Sequence, residues 1–179
     1  VLNYVIEQDA RLYILDCLPN LTQNTEQEVT DLVVAAVKQI RATRNAPILL
    51  VEHAGYSNAP TNKTQYELYT RLNEGSRKGF EKLQSEGIKD LYYLTHDELN
   101  YSPDAWVDYV HPSDFGAEAQ ATAVEKKVRE ILHIPVGNLP TTRPVTQRRE
   151  PNNYEWQTRH RDLLAWIGNH PPKAVILGN

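Results

Sequence analysis

The sequence predicts an α/β fold, a three-layer α/β/α sandwich around a mainly parallel sheet. Three short apolar, β-prone runs recur along it: Arg11–Leu15 (R-L-Y-I-L), Pro47–Val51 (P-I-L-L-V) and Leu91–Leu94 (L-Y-Y-L). Between them lie segments with apolar residues at helical spacing, and strands alternating with amphipathic helices build parallel sheets covered on both faces. At 179 residues the chain can bury one sizeable core, or one domain and part of another.

Taken in order, Arg11–Leu15 runs into a polar, Pro-containing exit from Asp16 to Asn20. Thr25 and Glu28 form a capping box, and Val29, Leu32, Val33, Ala36, Val37 and Ile40 follow on one helical face. Pro47–Val51 ends at Glu52-His53. Thr64 with Glu67 reads as a second capping box, opening a helix with Tyr69, Leu72, Ser76, Phe80 and Leu83 on one face. Gly87 stops it. After Leu91–Leu94, the helix that follows His111 carries Ala117, Ala121, Val124, Val128 and Ile131. Residues 134–152, punctuated by Pro135, Pro140, Pro144 and Pro151, read as a linker. Beyond it Trp156, His160, Leu163 and Ile167 make another helical face, and Ala174–Leu177 (A-V-I-L) reads as a buried strand.

Composition excludes several classes. A net charge of -4 with 23% charged residues gives no basic field, so nucleic acid is not an expected partner. No apolar run approaches membrane-spanning length. Cys17 is the one cysteine, which rules out an intramolecular disulfide. His96, His133, His160 and His170 show no metal-ligand spacing with one another or with Cys17, so a zinc site is not expected. No glycine loop is present to cradle phosphate, which sets aside a nucleotide-binding domain. The chain starts at Val1 and contains no methionine. Its N-terminus is therefore expected to be processed or cut away, and the lack of a signal peptide says nothing about export.

The stretch richest in chemistry is Val107–Gly116, V-D-Y-V-H-P-S-D-F-G. Asp108 lies three residues before His111, close enough to reach a ring nitrogen and hold one tautomer. Pro112 keeps His111 out of the helical region, and Ser113 and Asp114 offer capping oxygens for the helix that follows. The residues alone also allow a chance D-x-x-H, or a histidine that merely precedes a helix. In parallel sheets ligands bind beyond the C-terminal strand ends, and Asn20, His53 and the Asp108–His111 loop all belong on that rim. His53 there could contact substrate or be a plain loop histidine. Asn20 after Pro19 can equally be a turn residue. Cys17 reads as a small buried hydrophobe, with no base beside it in sequence. Ser57, in G-Y-S-N-A, lacks the second glycine of a nucleophile elbow and reads as a turn. No catalytic serine is assigned within the chain.

D-x-x-H-P followed by S-D-x-G resembles the last conserved block of the SGNH (GDSL-type) hydrolases. Upstream, D-A-R-L-Y-I-L-D-C-L-P-N-L from Asp9 to Leu21 is similar to the third block of a bacterial GDSL-like acylhydrolase subfamily. The resemblance spans residues 1–133 and implies an SGNH/flavodoxin-like domain without its N-terminal nucleophile block. It also implies that Asp108 and His111 complete a catalytic triad and that Asn20 supports the oxyanion. Y-E-W-Q-T-R-H-R-D-L-L and P-K-A-V-I-L-G-N resemble the opening of a further SGNH domain of the platelet-activating-factor-acetylhydrolase-like branch. Residues 153–179 are thus expected to begin a second, or permuted, domain. If permuted or swapped, Ala174–Leu177 lies parallel to Arg11–Leu15. The activity implied is hydrolysis of O-acyl esters, small acyl groups on carbohydrate or lipid-like esters, in a periplasmic or secreted bacterial protein, and it implies no metal or organic cofactor. The expected partners are that substrate and the rest of a tandem protein, or a neighbouring copy. A catalytically silent, carbohydrate-binding or scaffolding domain is the rival expectation.

Overall fold

The structure, a computed structural model, describes residues 2–135 together with Arg161, Ala165 and 175–177. Most of the expected linker and of segment 153–179 lies outside the described residues. Four short strands, β1 (Tyr13–Leu15), β2 (Ile48–Val51), β3 (Leu91–Leu94) and β4 (Val175–Leu177), form one sheet in the order β3-β2-β1-β4. Every pairing is parallel, with Tyr13 opposite both Ile48 and Val175, and Leu50 opposite Tyr93. The ladder between the C-terminal run and the first strand is thus present, in register from Tyr13–Val175 to Leu15–Leu177.

Strand alternation sorts the apolar side chains into two cores. Tyr13, Leu15, Ile48, Leu50 and Leu91 face one side, where Val34, Val37 and Ile40 of α2 (Glu26–Arg41) and Leu83 of α3 (Lys63–Ser85) cover them. Ahead of β1, the short α1 (Leu2–Val5) adds Leu2 and Val5 to the edge of this core. Leu12, Ile14, Leu49, Val51 and Leu94 face the other side. There they meet Leu99 of α4 (His96–Leu99) and Ala123 and Ile131 of α5 (Asp114–Ile131). These are the three layers the sequence predicts.

The helix boundaries show which local signals act. Thr25 caps α2 through a complete capping box with Glu28. The second box is not used: α3 starts one residue before Thr64, and the Asn62 side chain accepts the Gln65 N–H as the cap. Asn ranks above Thr as a cap, and a cap at Asn62 leaves Thr64 inside the first turn. At the other end Gly87, at φ +82°, closes α3 with bonds from Gly87 N to the Gln84 carbonyl and from Ile88 N to the Leu83 carbonyl. On α5, Ala117 and Ala121 are exposed, and Gly116, Ala123, Val124, Val128 and Ile131 face inward instead. The inward stripe includes a polar member, Gln120, which an apolar periodicity passes over.

Candidate active site

The segment before α5 is folded by short-range bonds. A 3₁₀ turn, Pro103–Ala105, presents its carbonyls to the helix start: Ser113 N donates to the Ala105 carbonyl at 2.8 Å and Ser113 Oγ to the Asp104 carbonyl at 2.6 Å. Gly116 is required here, because a methyl group on it would lie 2.1 Å from the Ala105 carbonyl oxygen. Trp106 and Pro112 form an antiparallel bridge, and Val107 N donates to the His111 carbonyl at 3.0 Å. Residues 107–111 are thereby pinched into a loop that projects Asp108 and His111.

Inside that loop Asp108 uses both carboxylate oxygens. Oδ1 accepts the N–H groups of Val110 at 2.7 Å and His111 at 2.8 Å, while Oδ2 lies 2.8 Å from His111 Nδ1. The backbone bond from His111, the imidazole bond and the Val110 bond together hold the Asp108 carboxyl down to about 2. Asp108 is therefore an anion at neutral pH and can only accept, so the Nδ1 proton belongs to His111, and in the neutral ring Nε2 is the nitrogen with the lone pair. The imidazole is 74% exposed. This is a histidine oriented by a carboxylate, with its basic nitrogen open to a reactant.

Asn20 ends a 3₁₀ turn, Leu18–Asn20, that leaves the C-terminal end of β1, and it is exposed. His53 follows the C-terminal end of β2 as expected, but its surroundings are not those of an open rim. It is 3% exposed, with the Tyr56 and Tyr69 rings 4.7 and 6.2 Å away. Its Nδ1 accepts the Gly55 N–H at 2.8 Å, which puts the imidazole proton on Nε2, an atom without a protein partner among the described residues. Burial, and next the charge of His96, push its pKa down to about 4, so it is neutral at pH 7. Asn73 of α3 pins the same residue, accepting its N–H at 2.8 Å and donating to its carbonyl at 3.1 Å. Cys17 is half-buried, and burial and the Asp16 charge raise its thiol pKa, which leaves it un-nucleophilic.

The bonds of two groups near this rim escape a reading of the sequence. Asp16, the first residue after β1, is pushed up to about 6 by burial, against the opposing bond from Gln120. Gln120 Nε2 donates to Asp16 Oδ2 at 2.8 Å and Tyr101 Oη donates to Gln120 Oε1 at 2.7 Å. This chain ties the exit of β1 to α5. Asp16 sits where a strand-end carboxylate invites attention; nothing near Gln120 in sequence announces it. The second group is Ser57, whose Oγ and N–H donate to the carbonyls of Asp108 and Tyr109, each at 3.1 Å. Among the described residues no group of three or more His, Cys, Asp or Glu could hold a metal ion, and no helix is long and apolar enough to cross a membrane.

The parallel sheet covered by helices on both faces defines an α/β protein, and the loop ahead of α5 adds a carboxylate-bound histidine exposed to solvent. The chain belongs to the GDSL-like lipase/acylhydrolase family, whose model matches residues 1–129. Among solved structures it is similar to a GDSL-like lipase from Bacteroides ovatus, with 28% identity and a TM-score of 0.66 over 73% of this chain. The chain spans 39% of the length of that structure. No curated protein matches it.

Proposed function

We propose that this domain supplies the acid–base half of an SGNH-type serine ester hydrolase. The observation that carries the reading is the 2.8 Å contact between Asp108 Oδ2 and His111 Nδ1, with the imidazole open to solvent. In the proposed cycle a serine Oγ attacks the ester carbonyl carbon while His111 Nε2 takes its proton. The tetrahedral intermediate collapses, the alcohol leaves with that proton, and water repeats the sequence to release the acid. Asp108 holds the ring and stabilises the imidazolium. The Asn20 amide is the proposed donor to the oxyanion; one such donor is worth about 3 kcal/mol in the transition state.

None of the five serines pairs with His111. Ser57, Ser85 and Ser113 give their hydroxyls to carbonyls, Ser76 is 2% exposed on the buried face of α3, and Ser102 precedes a 3₁₀ turn. The nucleophile is accordingly assigned to polypeptide outside these 179 residues, the rest of a tandem protein or a neighbouring copy. Small acyl groups, acetyl first, on carbohydrate are the preferred substrates, in keeping with a periplasmic or secreted bacterial protein. Val107, Tyr109 and Val110, 70%, 64% and 41% exposed around His111, favour a second reading with an apolar, lipid-like ester. The lack of a serine on His111 favours a third, a silent carbohydrate-binding or scaffolding domain.

The test is turnover of p-nitrophenyl acetate and octanoate by the protein that carries the serine. His111→Ala is expected to abolish turnover with folding intact, and wild-type-like turnover by that variant would end the assignment. A higher kcat/KM for octanoate selects the lipid reading. Absence of both turnover and fluorophosphonate labelling selects the silent domain.

A further inference from the structure

The catalytic-type loop is exposed and its internal bonds are local, which leaves open what fixes it against the body of the protein. Val107 and Tyr109 are 70% and 64% exposed. The bonds from Val107 N to the His111 carbonyl, and from Val110 N and His111 N to Asp108 Oδ1, shape the loop without anchoring it to the sheet. Ser57 reaches it from a different element. Its N–H donates to the Tyr109 carbonyl and its Oγ to the Asp108 carbonyl, so two consecutive peptide units of the loop are gripped by one residue.

Ser57 stands on a rigid base. Glu52 and His53 leave β2 at 2% and 3% exposure, and the Glu52 carboxylate accepts from Arg77 Nη2 and from His96 N, both at 2.6 Å. Asn73 brackets the His53 peptide on both sides. Gly55, at φ +93°, turns the chain over His96, where an added methyl would sit 3.1 Å from Cε1. These contacts bind residues 52–55 to α3 and α4, two residues short of Ser57.

We propose that Ser57 is a positioning residue for the Asp108–His111 pair. It clamps the backbone of Asp108, and thereby sets where the carboxylate presents the imidazole. The proposal rests on reading that pair as the catalytic base. Ala at this position keeps the N–H bond and loses the hydroxyl bond; Thr keeps both. A misplaced general base costs turnover rather than substrate affinity, since the geometry matters most in the transition state.

The experiment compares Ser57→Ala, Ser57→Thr and His111→Ala by ester kinetics, with NMR of the His111 Nδ1–H proton and amide exchange at Val110 and His111. Ser57→Ala is expected to lower kcat about tenfold with KM nearly unchanged. It should also broaden or shift the Nδ1–H resonance and speed exchange at both amides, and Ser57→Thr should restore all three. An unaltered resonance and unaltered exchange in Ser57→Ala overturn the clamp, whatever the kinetics. If instead His111→Ala keeps full turnover, the catalytic reading fails. The resonance and exchange then still decide whether Ser57 orders the loop.

Discussion

Asp16 is the residue whose ionisation the fold opposes most plainly. Its carboxyl titrates at about 6 in place of the ordinary 3.8, because burial disfavours the anion more than the Gln120 bond supports it. Between those two values the folded chain keeps a proton that the unfolded chain has released. The contribution of Asp16 to stability therefore falls as pH rises through that window and stays lower above it, by about 3 kcal/mol at most. Asn is isosteric, cannot ionise, and still accepts from Gln120 Nε2. Asp16→Asn is thus expected to be more stable than the parent at pH 7 and equal to it below pH 4. Urea unfolding at a series of pH values measures this, and a pH-independent difference would show that the carboxylate is solvated.

At the scale of elements, α2 and α3 approach through two glycines one turn apart. A methyl on Gly75 would lie 2.6 Å from the Glu26 carbonyl oxygen, and one on Gly79 would lie 2.9 Å from Val33 Cγ1. Thr30 Oγ1 bridges the pair, bonding the Glu26 carbonyl at 3.0 Å and the Gly75 carbonyl at 2.9 Å. Gly→Ala in an exposed helix gains up to about 1 kcal/mol. Here the same change meets backbone, so Gly75→Ala is expected to destabilise by about 1–3 kcal/mol, read as a lower Tm. The sequence announced α2 through Thr25 and Glu28, since both partners of that bond lie within one turn. Asp108 and His111 were legible for the same reason. Gly75 and Gly79 were not, because the need for them exists only once α2 lies alongside. The same holds for the Gln120–Asp16 and Ser57–Asp108 bonds, whose partners are 104 and 51 residues apart. The burial of His53 also belongs to this set, for a histidine after a strand looks the same whether aromatic rings close over it or not.

Over the whole molecule, Asp16 and His53 act in overlapping pH windows with opposite signs. His53 titrates at about 4 in the fold against an ordinary 6.5, so the unfolded chain binds the extra proton and stability is lost as pH falls through that range. Asp16 loses stability in the other direction across nearly the same interval. The two contributions are expected to offset each other, giving a flat stability profile between about pH 4 and 6. Each single variant should expose the other's slope. Asp16→Asn leaves a chain that weakens on acidification, and His53→Gln leaves one that strengthens. Two variants with parallel profiles would count against the compensation.

Asp108 holds its loop with one oxygen and its histidine with the other. If the pair is catalytic as proposed, a copy of this domain that lost its chemistry would still need Oδ1 to keep residues 108–111 folded, whereas among the described residues no bond holds the outer imidazole nitrogen. Decay after gene duplication should therefore erase His111 first and Asp108 late. A surviving aspartate in a relative is then a record of architecture, and the histidine beside it is the better witness to activity.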